Sequence, residues 1–230
     1  MPADVDVVIP VYGGAHVVPR AVASVLAQDA DASVRIHVVD DASPDAAADV
    51  LAGLAAEHPE VSVLTHAHNR GVAAARNAAI AAGSAPVIAL LDQDDAWLPG
   101  KLRVQLAALA ADPSLGYVLG RSRFVLAPGV ARPSWTREEW FDGPQRAYLP
   151  SVLVVRREVW ERVGRFDESL RAGGDDSDWF ARAHRRRVPF AFLDDVVLDR
   201  HIHERNLSAG DTDSDLLAVV RRHLAERGPR

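Results

Sequence analysis

The sequence predicts an α/β fold, with a mainly parallel central sheet flanked by helices. Along the first half, short apolar runs alternate with Ala-rich amphipathic stretches, the pattern of strands that cross over through helices. One run, Val87-Ile88-Ala89-Leu90-Leu91, is apolar throughout, as a strand buried on both faces must be. It leads straight into Asp92-Gln93-Asp94-Asp95. Acids in that position lie in the crevice at the carboxyl ends of the strands, where open α/β sheets bind their ligands.

Val5–Val11 reads as the first strand and 16–28 as the first helix. Residues 34–39 form the second strand and end in Asp40-Asp41-Ala42-Ser43-Pro44-Asp45. A helix follows over 45–57, with Ser43 or Asp45 placed to cap it. Residues 61–66 give a third strand, 71–82 a helix and 86–91 a fourth strand. Pro99 suits the first turn of a helix that runs to about 111, and Asp112-Pro113 ends it. This β-α-β-α order implies parallel strands with right-handed crossovers. The second half is less regular. Residues 116–126 read as one or two strands. Residues 127–146 combine prolines and glycines with Trp135, Trp140 and Phe141, which suits either a functional lid or a loop pinned to the core. Beyond it come a strand at 151–155, a short helix at 157–163, a helix at 176–187, a strand at 190–193 and a terminal helix at 215–226. The basic run 182–187 reads as the solvated end of a helix.

Composition narrows the function classes. Of 230 residues, 48% are hydrophobic and 25% charged, as in an ordinary globular protein. The net charge of -6 argues against a nucleic-acid partner, which calls for a basic face. The chain has no cysteine, so disulfides, thiolate nucleophiles and thiolate metal sites are excluded. No apolar run approaches the roughly 18–20 residues needed to cross a bilayer, and no signal peptide is evident. The expected location is cytoplasmic, with a peripheral membrane contact left open.

In a parallel sheet the turn Pro10-Val11-Tyr12-Gly13-Gly14 and the acids Asp40-Asp41 and Asp92-Gln93-Asp94-Asp95 share one edge. That constellation suits nucleotide recognition together with a divalent cation on phosphates. The G-x-x-x-x-G-K-[ST] loop of a P-loop NTPase and the G-x-G-x-x-G turn of a dinucleotide dehydrogenase are both missing after the first strand.

Several segments are similar to family 2 glycosyltransferases of the GT-A (Rossmann-like nucleotide-diphospho-sugar transferase) fold. They are Val7-Val8-Ile9-Pro10-Val11-Tyr12, Val38-Val39-Asp40-Asp41-Ala42-Ser43, Asn69-Arg70-Gly71 with Ala75-Arg76-Asn77, and Asp92-Gln93-Asp94-Asp95-Ala96-Trp97 with Pro99 and Lys101-Leu102. More loosely, Val163-Gly164-Arg165-Phe166-Asp167-Glu168, Gly174-Asp175-Asp176-Ser177-Asp178-Trp179 and His201-Ile202-His203-Glu204-Arg205-Asn206-Leu207-Ser208 follow the family's later motifs. The resemblance implies a single domain over 1–230, with a nucleotide-sugar-binding half at 1–112 and an acceptor-binding half at 113–230. It implies that Pro10, Tyr12, Asp40, Asp41, Arg76 and Asp92 hold the nucleotide, and that Asp94, Asp95 and His203 hold Mn²⁺ or Mg²⁺. His201 remains the alternative to His203. Asp176 is the implied general base of an inverting transfer. Asp175, where the family more often has Glu, and Trp179 are implied on the acceptor side, with Trp179 alternatively in the core. The donor is expected to be a UDP- or dTDP-sugar and the acceptor an unidentified hydroxyl. A homodimer stays open. The alternatives are a sugar-phosphate nucleotidyltransferase and an inactive nucleotide-sugar-binding protein. The absence of membrane helices or an added domain argues against a processive synthase.

Overall fold

The computed structural model describes residues 4–126, 129–134, 136–170 and 173–203. The elements run β1 (Val5–Val11), α1 (Val18–Leu26), β2 (Val34–Asp40), α2 (Ala47–Glu57), β3 (Val61–Thr65), α3 (Val72–Ala82), β4 (Val87–Leu90), β5 (Ala96–Trp97), α4 (Lys101–Ala111), β6 (Tyr117–Leu126), β7 (Gln145–Arg146), β8 (Leu153–Arg156), α5 (Arg157–Val163), α6 (Asp175–Arg185) and β9 (Phe190–Ile202). They form a sheet in the order β3-β2-β1-β4-β8-β6-β9-β5, with β7 added onto β6. β1, β2, β3 and β4 are mutually parallel. β8 is antiparallel to both β4 and β6. β6 therefore points the same way as β4, and so does β9, its parallel partner. The carboxyl ends of β1, β2, β4, β6 and β9 all reach one edge of the sheet. The parallel character is concentrated in the first four strands, and the second half of the sheet is mixed.

Every residue of β1 is buried, as expected for a strand covered on both faces. α1 begins two residues later than the sequence pattern suggests. The chain before it is held in a turn: Gly13 takes a left-handed φ of 62°, its N–H donates to Ser43 Oγ, and the Ala15 N–H donates to Asp45. At the opposite edge of the sheet a buried polar chain ties the elements together. Asp6 accepts from the Ala85 N–H at 2.7 Å and from Arg157 at 2.7 Å, and contacts His37 at 3.0 Å. His37 in turn contacts the Ser62 hydroxyl at 2.9 Å.

The largest departure from the sequence reading is β9. The apolar pattern predicts a strand over 190–193, but the strand continues to Ile202. Cross-strand charge carries it through the polar stretch: Arg123 and Asp199 are register partners and pair through both guanidinium arms at 2.7 and 2.8 Å. Gly120 allows β6 to approach this closely, since a Cβ there would lie 2.6 Å from the Val197 side chain. Of the aromatic loop, Trp140 stacks on Phe124 at 5.2 Å and Phe141 meets the same ring edge-on at 6.1 Å. These contacts fasten the loop to β6. Trp135 and the expected helix at 215–226 lie outside the described residues. Among the described residues no helix is long and apolar enough to cross a membrane.

Candidate active site

The carboxyl ends of β1, β2 and β4 stand side by side, and the turns that follow them are laced together. Gln93 clamps the first turn. Its Oε1 accepts from the Tyr12 N–H at 2.9 Å and its Nε2 donates to the Tyr12 carbonyl at 3.1 Å. Gly14 must be glycine for this, because a Cβ would overlap the Gln93 amide. The result is an outward Tyr12 ring, 51% exposed beside the acids. An exposed aromatic face there suits a nucleobase. Pro10 is the penultimate residue of β1 and lies in its buried run.

The two acids after β2 play separate parts. Asp40 accepts from the Ser43 N–H and forms the tight turn. Asp41 is buried, and its carboxylate accepts from the backbone N–H groups of Arg70 and Gly71 and contacts His66 Nδ1 at 2.6 Å. With both oxygens engaged, Asp41 anchors the approach to α3 rather than facing a nucleobase, and the expected nucleoside role gives way to a structural one.

The acids after β4 also diverge. Asp94 Oδ2 lies 3.0 Å from His203 Nε2, so the last described residue of the chain meets the acid motif. Burial works against ionisation of Asp94, but the His203 ring outweighs it and holds the carboxyl below its ordinary value. Arg20 donates to the Asp94 carbonyl. Asp95 turns inward instead. It accepts from the Ser151 hydroxyl at 2.8 Å and the His201 N–H at 3.2 Å. Burial, reinforced by Asp94, drives its carboxyl well above the usual range. A buried carboxyl of this kind ties β4 to β8 and β9, so Asp95 does not sit as a metal ligand. Ser151 also accepts from the Asp92 N–H at 3.0 Å. The His203 ring meets an acid of the motif, and His201 Nδ1 lies 3.2 Å from the Asp199 carbonyl. Burial lowers the pKa of the His201 ring.

On the other side of the cleft, α6 starts after Gly174, whose φ is 83°. Asp176 is half-buried at this N-terminus, with Oδ1 accepting from the Ser177 N–H at 2.6 Å. Burial first, and then the neighbouring Asp175, push its carboxyl up to about 6, with Arg76 pulling the other way. Asp175 is buried and ion-paired to Arg76 at 2.7 Å, so it does not reach out to an acceptor. Of the two expectations for Trp179 the core one holds and the acceptor-side one does not: it is 0% exposed, stacks on Trp160 at 5.4 Å and meets Tyr117 edge-on at 5.7 Å. Arg182 is locked by Asp178 and by the carbonyls of Val163, Gly164 and Arg165, whereas Arg185, Arg186 and Arg187 are exposed. A 680 Å³ cavity lined by His184, Arg185, Arg187, Val188, Pro189 and Phe190 opens at that end of α6. It lies roughly 16 Å from Asp176, the length of an 11-residue helix.

Gln93 and Ser151 hold the site together and escape sequence reading. Gln93 is the middle residue of the acid motif, so its position is a signal. Ser151 is an unmarked serine before a strand and carries none. Among the described residues, no group of three or more His, Cys, Asp or Glu side chains is arranged to hold a metal ion.

The profile of Glycosyl transferase family 2 matches residues 6–163. The chain belongs to this family. It is 30% identical over 235 residues to the succinoglycan biosynthesis protein ExoU of Rhizobium meliloti (strain 1021), covering 94% of this chain and 67% of that protein. It is 33% identical over 189 residues to ExoO of the same strain, covering 75% of this chain and 53% of that protein. With the pre-mycofactocin glycosyltransferase of Mycobacterium tuberculosis, identity is 34% over 208 residues, covering 83% of this chain and 42% of that protein. The chain thus spans about half the length of some relatives and two thirds of another. Two solved structures share the fold. S. aureus TarS 1-349 in complex with UDP-GlcNAc has a TM-score of 0.75 at 17% identity, over 98% of this chain and 66% of that one. The mannosyltransferase PcManGT from Pyrobaculum calidifontis in complex with GDP-Man and Mn²⁺ has a TM-score of 0.73 at 21% identity, over 100% of this chain and 66% of that one. The fold is that of the GT-A glycosyltransferases, as the sequence motifs imply.

Proposed function

We propose that this glycosyltransferase moves one sugar, with inversion, from a UDP- or dTDP-sugar to a hydroxyl of a glycan acceptor. Residues 1–112 form the donor half and 113–230 the acceptor half. The observation that carries the reading is the meeting of two sequence-distant acid motifs: Asp92 and Asp175 hold the same guanidinium, at 2.6 and 2.7 Å. This shared guanidinium supports a reading in which donor and acceptor groups face one cleft. A glycan acceptor is supported by the names of the relatives, which build succinoglycan.

In this reading Tyr12 offers its ring to the nucleobase, and Asp40 and Asp92 serve the nucleoside. Asp176 accepts the proton of the acceptor hydroxyl as that oxygen forms its bond to the anomeric carbon. The bond from that carbon to the diphosphate oxygen breaks, and its electrons leave with the nucleoside diphosphate. A carboxyl near 6 suits a general base, being ionised at neutral pH yet more basic than an ordinary aspartate. Asp94 and His203, a hard oxygen and an imidazole nitrogen 3.0 Å apart, are the residues that would hold Mn²⁺ or Mg²⁺. Such a cation would neutralise charge on the departing diphosphate.

A panel of nucleotide sugars, screened by thermal shift with and without Mn²⁺, tests the reading. A UDP- or dTDP-sugar is expected to raise the melting temperature, more so with the metal, and to be slowly hydrolysed. Binding without any hydrolysis would indicate a binding protein, and release of pyrophosphate from a nucleoside triphosphate and a sugar phosphate would indicate a nucleotidyltransferase.

A further inference from the structure

Arg76 is a cation that the transfer described above does not use. It lies on α3, is only 5% exposed, and its guanidinium carbon sits 5.5 Å from the centroid of the Phe166 ring. One arm donates to Asp175 Oδ2 at 2.7 Å and the other to Asp92 Oδ1 at 2.6 Å, while Nε is buried with no hydrogen-bond partner. The resemblance places such a residue near the diphosphate. Here both terminal nitrogens are already directed at carboxylates on opposite sides of the cleft. We propose that Arg76 is a positioning residue, which sets the spacing and charge of Asp176 through the bridge Asp92–Arg76–Asp175 and so makes the acceptor side depend on the donor motif. The proposal deepens the functional reading and rests on Asp176 being the base.

The physical case starts from three carboxylates. Asp175 on α6, Asp92 in the turn after β4, and Asp176 itself crowd one partly desolvated region, and all three act on Arg76. Unscreened, they would repel each other and favour protonation. A planar fork holds two carboxylates on different elements in a fixed geometry, whereas a lysine, a compact charge with three rotatable donors, would not fix their spacing in the same way. The same groups act on Asp176: burial and Asp175 raise its carboxyl, Arg76 lowers it, the Ser177 N–H lowers it, and Asp92 raises it. Arg76 is thus the main positive charge opposing protonation of the base. Without it Asp176 would titrate nearer to neutrality and be protonated in a larger share of molecules when the acceptor arrives.

The two substitutions that change this balance act in opposite directions. Arg76→Met should raise the Asp176 midpoint by about one pH unit or more. Asp175→Asn should lower it, because it removes a negative neighbour. Asp176 can be followed in the full chain by carboxyl-¹³C NMR of labelled aspartate, assigned with Asp176→Asn, while calorimetry follows UDP binding with Mn²⁺. The expected result is opposite shifts, an intermediate shift for Arg76→Lys, and UDP affinity within about threefold of the unsubstituted protein for Asp175→Asn. An unmoved midpoint in Arg76→Met with a tenfold loss of UDP affinity would make Arg76 a nucleotide ligand and overturn the proposal. Arg76→Met leaves two acids without their cation and could fail to fold. In that case Asp175→Asn decides alone, and a midpoint that stays put or rises overturns the bridge. A separate outcome, undiminished donor hydrolysis by Asp176→Asn, would instead remove the base assignment, whatever the titration showed.

Discussion

The two halves of the sheet handle their acids differently. At the carboxyl ends of β1 and β2 the carboxylates bind the main chain: Asp40 holds the Ser43 N–H, Asp41 those of Arg70 and Gly71, and Asp45 those of Ala15 and Ala47. Around β6, β9 and α6 they bind guanidinium groups: Asp194 pairs with Arg121 and Arg146, Asp199 with Arg123, Asp178 with Arg182 and Asp175 with Arg76. Acids on backbone N–H groups fix the geometry of turns, whether the turn is their own, as for Asp40, or one about 30 residues away, as for Asp41. Most of the acids on arginines join elements far apart in the chain, Asp178–Arg182 within α6 being local. The edge at the ends of β1 and β2 is therefore held by main-chain hydrogen bonds, and the β6, β9 and α6 side by charge.

Changes at the junction of the two halves should have the largest effect. Asp176→Asn is expected to lower turnover by about 10²–10⁴ while leaving UDP affinity intact. The same variant has a stability signature. The folded carboxyl titrates near 6 rather than near 3.8, so the native protein holds this proton more tightly than the unfolded chain does. The protein therefore loses stability as pH rises through that window, and the penalty is complete above 6. Asp176→Asn should be more stable at pH 8 in EDTA, by at most about 3 kcal/mol, with the gain shrinking towards pH 4. Melting curves across pH check this, and an unchanged difference would show that Asp176 is not held in a raised state.

Within the first half, Asp41→Ala removes the acceptor for two part-buried N–H groups and should lower stability by about 1–3 kcal/mol, with little dependence on salt. Urea unfolding at low and high ionic strength reads both. Asp94→Asn should weaken Mn²⁺-dependent UDP binding about tenfold, measured by calorimetry, and leave metal-free binding unchanged. The smallest effect belongs to the second half of the sheet. Arg123→Ala breaks a pair whose arginine is half exposed, so a loss of about 0.2–1 kcal/mol that fades with salt is expected. A salt-sensitive Asp41 and a salt-insensitive Arg123 would reverse the contrast between the halves.

The same contrast explains what is legible in the sequence. β1 to β4 and the helices between them follow from apolar runs and turn residues, and the convergence of Tyr12, Asp40 and Asp92 follows from parallel strand order. β9 reads as a short strand because Asp194, Asp195 and Asp199 break its apolar pattern. The partners of Asp194 and Asp199, namely Arg121, Arg146 and Arg123, lie more than 40 residues away in sequence. Motif position is also a poor guide to which way an acid points. Asp94 faces the cleft and Asp95, its neighbour, faces Ser151 and the His201 backbone. Trp179 stands in an acidic motif but on the inner face of α6, among Tyr117, Trp160 and Phe180.

The Gln93 clamp has a thermodynamic consequence. Because the middle residue of the acid motif grips the main chain of Tyr12, the part that would stack on a base and the part that would hold phosphates form one stiff jaw. A donor arriving at such a jaw finds both contacts preset and has little loop motion left to freeze. Loosening the clamp with Gln93→Ala would leave every donor contact in place, so weaker binding should come from a more unfavourable entropy at nearly constant enthalpy. Position 93 would then govern how tightly a nucleotide is held without touching it.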